Sequence, residues 1–349
     1  FQALVGQFRG GPAIVTALVC AFFTSFTGAS GVTILALGGV LMPVLLAARY
    51  SERHALGLLT GAGSLGMLFP PCLPLILYAI VANTSAQANL SLKEIFLGGI
   101  GPGLLLVAIT AWWGIRKGSR EAADRPAFRW AEARAALWDA KWELSIPVVA
   151  VGSLFTVPTI VEAAAVTATT ALVIAMVIHR EVHPIRDLPR VITQCGLLVG
   201  GVLLILGVAL GFTHYLVDAQ LPDKLVAWAT TAVKSKWLFL LGLNLVLLFV
   251  GGLVEIYAAS IVVVPLLVPL GVAFGIDPIH LGIIFLANME LGFLCPPVGL
   301  NLLLSSYRFN RPMAEVIRAA FPMLLVLLLG VLLITYFPPL TTFLPRLFR

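Results

Sequence analysis

Long apolar runs dominate the chain, and charged residues are nearly confined to the connections between them. The apolar segments lie near residues 11–28, 31–48, 55–82, 95–115, 144–157, 160–178, 192–217, 237–254, 256–275, 278–304 and 313–337. These runs lack the alternation of apolar and polar positions that is typical of strands in a membrane barrel. Because a helix needs about 20 apolar residues to cross a bilayer, the pattern predicts a polytopic, all-α membrane protein.

The composition supports this prediction. Of the 349 residues, 60% are hydrophobic and 11% are charged, whereas about a quarter of a soluble domain is charged. Such a chain has too little polar surface to solvate a globular domain. The composition therefore excludes an ordinary soluble enzyme and a disordered or nucleic-acid-binding protein, although the net charge is +6.

The basic residues predict an orientation. Lys and Arg cluster in the connections 116–143, 180–190 and 308–318, which the positive-inside rule places in the cytoplasm. The alternation of spans then requires two re-entrant hairpins, 11–48 opening inward and 237–275 opening outward. This topology places 16 of the 22 Lys and Arg residues inside. Within 116–143, the stripe Trp130, Arg134 and Trp138 predicts a helix that either lies on the inner membrane surface or packs on neighbouring helices.

One motif occurs twice. Leu65–Pro71 (LGMLFPP) returns as Leu291–Pro297 (LGFLCPP), each inside a long apolar segment and after a predicted hairpin. Proline has no N–H to donate and its ring clashes with the preceding helical turn, so 55–82 and 278–304 are predicted to be broken helices. Residues 1–115 then form a first repeat, 116–143 an amphipathic cytoplasmic connection, and 144–349 a second repeat of inverted orientation. Paired broken helices indicate a transport site at the bilayer midplane.

These residues resemble the large membrane subunit of tripartite ATP-independent periplasmic (TRAP) transporters. The resemblance covers the whole chain and is carried by Arg9-Gly10-Gly11, Thr27–Ser30, Gly66–Pro71, Pro102-Gly103, Phe155–Thr159, Gly275–Pro278, Asn288 and Pro296–Gly299. It implies an elevator-type secondary transporter of the bacterial inner membrane, driven by a sodium gradient and without an organic cofactor. It also implies an organic acid as substrate, a small membrane subunit and a periplasmic substrate-binding protein as partners.

The resemblance further implies where sodium binds. It places a first site on the backbone carbonyls of Thr27, Ala29, Gly66, Phe69 and Pro71. By repeat symmetry, a second site would use Gly292, Cys295 and Pro297 together with the hairpin tip around Gly252 and Glu255. Physical reasoning agrees, because carbonyl ends of half-helices attract cations and amide ends attract carboxylates.

Three further side chains are candidates to bind the substrate: Ser30, Thr33 and Asn288. The alternative for Ser30 and Thr33 is helix capping or bonding back to a carbonyl, while Asn288 would be costly to bury unpaired. Three acids lie in or beside apolar segments, where an ionisable residue is usually functional. Glu162 is expected to cap a helix, Glu255 to take part in sodium binding, and Glu290 either to carry a proton or to pack between helices.

Other functions fit the sequence less well. An intramembrane enzyme would need a nucleophile–base pair or a metal cluster at membrane depth, but all five histidines lie at segment ends and neither HExxH nor GxSxG occurs. A scaffold subunit gives no reason for two matched broken helices. The closest alternative is an ion-coupled carboxylate transporter that works without a binding protein.

Overall fold

The computed structural model describes residues 10–86, 88–118, 130–157 and 160–348, and these residues form helices and no strands. The helices are α1 Gly11–Thr27, α2 Ser30–Ala47, α3 Glu52–Ala62, α4 Leu73–Ala86, α5 Leu92–Lys117, α6 Trp130–Asp139, α7 Lys141–Thr156, α8 Ile160–Val173, α9 Leu188–Asp218, α10 Leu221–Ala232, α11 Lys236–Leu253, α12 Ile256–Ala273, α13 Pro278–Gly292, α14 Leu300–Phe309, α15 Met313–Tyr336 and α16 Pro339–Leu347. A π-helical turn, Ile174–Ile178, extends α8. The predicted all-α class is confirmed.

Six helical segments of the described chain are long and apolar enough to cross a membrane: α2, α5, α8 with its π-helical turn, α11, α12 and α15. The arms α2, α11 and α12 have 18 residues each and rise about 27 Å, close to the roughly 30 Å of a hydrocarbon core. Length therefore does not separate a re-entrant arm from a crossing one, and re-entry stays a prediction.

Both predicted helix interruptions are present. The first broken helix stops at Ala62 and resumes at Leu73, and the second stops at Gly292 and resumes at Leu300. We call residues 63–72 and 293–299 the first and second interruption. Each contains one Pro-Pro doublet, and both Pro-Pro peptide bonds are cis. The helical segments extend over 52–86 and 278–309, a few residues beyond the predicted limits.

Two tight reversals join the hairpin arms. At the first tip, Gly28 adopts a left-handed conformation with φ +64°, and extended Ala29 starts α2. At the second tip, Val254 and Glu255 are both extended, and the Glu255 carboxylate accepts a hydrogen bond from the Tyr257 N–H at 2.8 Å. Glycine suits the first tip because other residues are strained at this φ, whereas the second tip uses a side-chain cap.

The chain divides into two compact units. One, which we call the middle unit, spans residues 127–208. The other, the hairpin unit, combines 4–126 with 209–349 and contains both hairpins and both broken helices. Helix α13 lies in the core of the hairpin unit, where every residue from Ile279 to Gly292 is buried. The predicted repeats 1–115 and 144–349 are defined by the orientation of their helices, whereas the two units are defined by compact packing. The division into repeats therefore stays a prediction.

The predicted amphipathic stripe belongs to the middle unit. Trp130 and Trp138 lie on α6 and are exposed. Lys141 begins α7, and its ammonium group lies 3.9 Å from the centre of the Trp138 ring. Trp130, Arg134 and Trp138 thus share one helix, while Lys141 or Trp142, the predicted next position of the stripe, lies on the following one. Residues 119–129 of this connection, together with Arg9 and the Pro158-Thr159 pair, lie outside the described residues.

Candidate functional site

Each interruption packs against the first arm of the hairpin that precedes it. Gly66 of the first interruption lies so close to α1 that a methyl group on it would overlap the backbone of Ala21 and Ser25. In the second half of the chain, a methyl group on Gly292 would lie 2.5 Å from the Cα of Gly251 in α11. Both interruptions thus lie against backbone, and the two halves of the chain use the same arrangement.

The second arms of the hairpins exchange partners. Helix α2 of the first hairpin packs along α14, the second half of the other broken helix, with Gly31 against Leu304. Helix α12 of the second hairpin packs along α4 in the same way. Each hairpin therefore contacts both broken helices, and the four elements form one cluster.

The two hairpin tips meet in this cluster. The Tyr257 hydroxyl, in the first turn of α12, donates a hydrogen bond of 2.8 Å to the Gly28 carbonyl of the first tip. A Cβ atom on Gly28 would lie 3.1 Å from that hydroxyl and 3.3 Å from the Cβ of Leu73, which begins α4. The structure thus brings the two tips and the first interruption to one place, although Gly28 and Tyr257 are 229 residues apart.

The residues predicted to form the first sodium site lie at the first tip and in the first interruption. Thr27 ends α1 and Ala29 precedes α2. The Gly66 carbonyl accepts the Phe69 N–H and the Phe69 carbonyl accepts the Cys72 N–H, both at 3.0 Å. Pro71 lies in the same interruption. A carbonyl oxygen has two lone pairs, so these bonds leave each carbonyl able to hold a hard cation.

One unpartnered group strengthens the fit to a cation. The Ser30 hydroxyl, in the first turn of α2, is buried and has no hydrogen-bond partner among the described residues. A buried hydroxyl without a partner is costly. Ser30 follows Ala29 in the sequence, and a neutral hydroxyl oxygen is a ligand that sodium and other hard cations take.

The second predicted sodium site likewise uses some of its groups for structure. The Gly252 carbonyl accepts the Gly299 N–H at 3.0 Å, and the Gly292 carbonyl accepts the Cys295 N–H at 2.8 Å. Cys295 and Pro297 lie in the second interruption. Glu255 caps α12, which is the alternative role for an acid at such a tip, and its part in sodium binding stays a prediction.

Thr33 is explained by packing within the first hairpin. Its hydroxyl lies 2.6 Å from the hydroxyl of Thr24 on α1, and Thr24 donates to the Gly63 carbonyl at 2.8 Å. This chain of bonds ties both arms of the hairpin to the first interruption. Thr24 was not among the predicted residues, since a threonine inside an apolar run gives little signal in the sequence.

Asn288 joins three helices some distance from the tips. Its amide nitrogen donates to Asn244 Oδ1 at 2.7 Å and to the Ile284 carbonyl at 2.8 Å, and Thr335 donates to the same Asn244 oxygen at 3.0 Å. Asn244 precedes Gly252 by eight residues, about 12 Å along a helix. The donor group of Asn288 is therefore used in packing, and its role in substrate binding stays a prediction.

A second polar group, also missed in the sequence, links the two broken helices. Thr60 of α3 donates to Ser305 of α14 at 2.9 Å, and the Asn301 amide of α14 donates to the Thr60 carbonyl and to Ser64 at 3.2 and 3.3 Å. All four residues are buried. In the sequence, these residues could have been found as polar residues isolated in apolar segments, because a buried polar group needs a partner.

The tips and interruptions carry no positively charged side chain. The segments 20–36, 60–75, 248–262 and 288–304, which hold the tips and the interruptions, contain no Lys, Arg or His and two acids, Glu255 and Glu290. The Glu290 carboxylate is buried, and neither oxygen has a hydrogen-bond partner in the part of the chain that the structure describes. That part also contains no group of three or more His, Cys, Asp or Glu that would hold a metal ion. Glu162, by contrast, lies in the first turn of α8 in the middle unit, where the sequence predicts a helix cap.

Comparisons with known proteins place the chain in a wider context. Residues 1–340 match the family described as "Tripartite ATP-independent periplasmic transporter, DctM component". The chain is 35% identical to the C4-dicarboxylate TRAP transporter large permease protein DctM of Pseudomonas aeruginosa, over 99% of this chain and 80% of that protein. It is 30% identical to the sialic acid TRAP transporter large permease protein SiaM of Vibrio cholerae, with the same coverage.

Two further relatives bear on assembly and fold. The isethionate TRAP transporter permease protein DctMQ of Oleidesulfovibrio alaskensis is 32% identical over 96% of this chain, which covers 52% of that longer protein. Among solved structures, the YdaH transporter of Alcanivorax borkumensis superposes with a TM-score of 0.63 at 14% identity, over 97% of this chain and 85% of that one. The second likeness concerns the fold alone.

Proposed function

Because this chain belongs to the DctM family of tripartite ATP-independent periplasmic transporters, we propose that it imports an organic acid driven by a sodium gradient. The chain is a large permease subunit of the inner membrane and not an enzyme. Relatives are named for C4-dicarboxylates, ectoine and sialic acid. A carboxylate is the substrate class that we propose here.

We propose two protein partners. TRAP large permeases work with a periplasmic binding protein and a small membrane subunit. In our proposal, a binding protein of the DctP type delivers the substrate to this chain, and a small subunit of the DctQ type accompanies it in the membrane. The alternative is an ion-coupled anion transporter that takes its substrate directly from solution.

The observation that carries the proposal is the charge around the tips and interruptions. These segments offer neutral oxygen atoms and two acids but no cationic side chain. A carboxylate that leaves water for such a place loses hydration and gains no ion pair, which is costly. A coupling cation that binds on the tip and interruption carbonyls would supply the missing positive charge. Uptake of an acid then depends on the cation.

We assign the first cation position to the carbonyls of Thr27, Ala29, Gly66, Phe69 and Pro71, with the Ser30 hydroxyl beside them. The cation would balance the charge of the substrate there. The chain's own groups position these oxygens: Gly28 reverses the chain at the tip, and Thr24 fixes the first interruption against α1 through Gly63. The positions around Gly252, Glu255, Gly292, Cys295 and Pro297 form the proposed second site.

We also propose elevator-type alternating access. The hairpins and broken helices belong to one compact unit, while α6, α7 and α8 belong to the other. The packing of each interruption on its own hairpin, and of each second arm on the other broken helix, is the arrangement expected of inverted repeats. In this proposal the hairpin unit moves as one body and carries the substrate between the two sides.

Uptake by reconstituted protein tests the proposed function. We would place this chain with its small subunit in proteoliposomes and supply labelled succinate on its binding protein, under an inward sodium or potassium gradient. Accumulation is expected only with sodium and only with the binding protein. Equal uptake in both gradients would contradict sodium coupling, and equal uptake without the binding protein would favour the alternative transporter.

A further inference from the structure

Tyr257 is the one side chain of the second tip that bonds to the first tip. Its ring lies at the half-buried start of α12, and its hydroxyl donates to the Gly28 carbonyl at 2.8 Å. Its backbone N–H is held by the Glu255 carboxylate at 2.8 Å. The position of the hydroxyl is therefore fixed from both ends, by the cap of α12 and by the carbonyl of the opposite tip.

A tyrosine hydroxyl has a single proton to donate. In the structure that proton goes to Gly28, the residue between Thr27 and Ala29, whose carbonyls we assign to the cation. A cation held by these two neighbouring carbonyls repels the positive end of the O–H dipole that points at Gly28. When the cation is bound, the tyrosine proton is free for another acceptor at the tips.

Resting on the function proposed above, we propose that Tyr257 is a positioning residue that links cation binding to carboxylate binding by moving its hydroxyl donor from the Gly28 carbonyl to the carboxylate of the substrate. In the empty site the hydroxyl satisfies Gly28. In the loaded site the cation on the neighbouring carbonyls repels the hydroxyl proton from Gly28, and the hydroxyl bonds to the anion. Each ligand then improves the site for the other, as any coupling between two sites requires.

The surroundings of Tyr257 favour this role over simple packing. No Lys or Arg occurs in the tip segments, so a neutral O–H is the strongest side-chain donor that the second tip offers to an anion. The nearest acid, Glu255, already accepts a backbone N–H and does not need the tyrosine proton. A hydrogen bond to a charged group is also worth more than one to a neutral carbonyl, which favours the move once an anion arrives.

The test uses Tyr257→Phe, which keeps the ring and removes the hydroxyl. The matched control is Tyr50→Phe, because Tyr50 also donates to a glycine carbonyl, that of Gly114 at 3.0 Å, away from the tips. Burial raises the pKa of Tyr50 to about 12, so its hydroxyl stays protonated and is a comparable neutral donor. Binding of sodium alone, and of succinate with and without sodium, is measured by calorimetry on the purified membrane complex.

We expect Tyr257→Phe to bind sodium alone several-fold more tightly, since the O–H dipole whose positive end points toward the cation position is gone. We expect its succinate affinity in sodium to fall about ten-fold, as one hydrogen bond to a charged group is lost. Tyr50→Phe is expected to match the wild type in both measurements. These opposite changes separate a positioning role from a structural one, which would weaken both ligands together.

Each other outcome overturns one specific idea. If wild-type and Tyr257→Phe proteins show the same gain in succinate affinity with sodium, Tyr257 does not couple the ligands, while the proposed function stands. If Tyr257→Phe weakens sodium and succinate equally, its role is structural. If sodium has no effect on succinate binding in the wild type, sodium coupling itself is wrong.

Discussion

At the scale of single residues, two kinds of position hold the hairpin unit together: glycines where backbone meets backbone, and lone polar side chains that find partners far away in the sequence. Gly66 and Gly292 belong to the first kind and let each interruption approach a hairpin arm. Thr24 and Thr60 belong to the second. Both kinds are easily overlooked in an apolar sequence, yet both are sensitive to the change of a single methyl or hydroxyl group.

The first prediction concerns Gly292. A methyl group in Gly292→Ala would lie 2.5 and 2.6 Å from the Cα and carbonyl carbon of Gly251. Backbone cannot rotate away as a side chain can, so the second interruption must move off α11. We expect a loss of stability of about 1–3 kcal/mol, the usual range for overpacking, measured by thermal unfolding in detergent.

Gly242→Ala on the same helix α11 is the matched control. Among the described residues, no atom outside the adjoining residues and the backbone of α11 lies within 4 Å of the added methyl group, and alanine favours a helix over glycine by about 1 kcal/mol. This variant should therefore keep or slightly raise the melting temperature. Equal melting temperatures for the two alanine variants would show that the close approach of Gly292 to α11 is not needed.

The second prediction concerns Thr24. Replacing it with valine keeps the shape of the side chain but removes the hydroxyl shared between Thr33 and the Gly63 carbonyl. A buried group left without its partner costs about 1–3 kcal/mol, so Thr24→Val should unfold at a lower temperature than the wild type. The same measurement should show a smaller effect for Thr16→Val.

Thr16 is a suitable control because it is also buried on α1 and donates to the Pro12 carbonyl of its own helix, at 2.8 Å. Within the part of the chain that the structure describes, its hydroxyl bonds to no second element. A Thr16→Val variant that loses as much stability as Thr24→Val would indicate that the bond to the first interruption contributes nothing particular.

Individual contact residues were the hardest feature of the protein to predict from the sequence. The motif residues Gly66 and Gly292 were found because they recur in two copies. Asn301 and Ser305 were missed because each occurs once, and their partners Thr60 and Ser64 lie more than 230 residues away. Tyr257 was missed because a tyrosine near the end of an apolar run also suits a membrane interface. Partners so distant in the chain leave no local pattern.

At the scale of elements, the proline doublets were the most informative feature. The physical reason is local, since a residue without an N–H and with a ring against the preceding turn cannot continue a helix, and this is why both interruptions could be predicted and were found. The ends of the hairpin arms follow equally local rules, with Gly28 at one tip and the Glu255 cap at the other. Membrane depth is not a local property, and so the re-entrance of the arms was not decided by the helix lengths.

The third prediction tests the interruptions. In Pro71→Ala and Pro297→Ala, an N–H returns to the chain and the helix on either side is able to extend into the interruption. The carbonyls assigned to the cations would then be taken by helical hydrogen bonds. We expect transport in proteoliposomes to fall at least ten-fold while expression and the melting temperature stay near those of the wild type.

Pro102→Ala is the control for loss of a proline as such, because Pro102 lies inside the uninterrupted helix α5. It should transport like the wild type. If Pro71→Ala and Pro297→Ala lose folding and transport to the same degree, the doublets serve the fold alone and the cation assignment loses its main support.

At the scale of the whole molecule, several hydrogen bonds and an ion pair join the two sequence halves of the hairpin unit. Among them, Tyr257 bonds to Gly28 at the tips, Thr60 bonds to Ser305 between the broken helices, and Arg311 forms an ion pair with Glu52. Residues 10–118 and 236–348 are thereby joined into one compact unit. The recurring motif predicted two repeats, but no sequence pattern predicted the hydrogen bonds and the ion pair that join them.

These contacts lead to the fourth prediction, which distinguishes movement of the whole hairpin unit from separation of its two halves as the basis of alternating access. The hydroxyls of Thr60 and Ser305 are 2.9 Å apart, so cysteines in their places would hold their Sγ atoms near the roughly 2 Å of a disulfide bond. If the hairpin unit moves as one body, joining α3 to α14 removes no motion that transport needs. In a background without the four native cysteines, the oxidised Thr60→Cys/Ser305→Cys protein should transport as fast as the reduced one.

The opposite result has an equally clear meaning. If access alternates because the two halves of the hairpin unit separate, the disulfide holds them together and oxidation should abolish uptake, with recovery after reduction. The single variants Thr60→Cys and Ser305→Cys control for the loss of each hydroxyl, since neither forms the bond. If transport survives the disulfide, the hairpin unit moves as a whole. If transport stops, α3 and α14 must move relative to each other during the cycle.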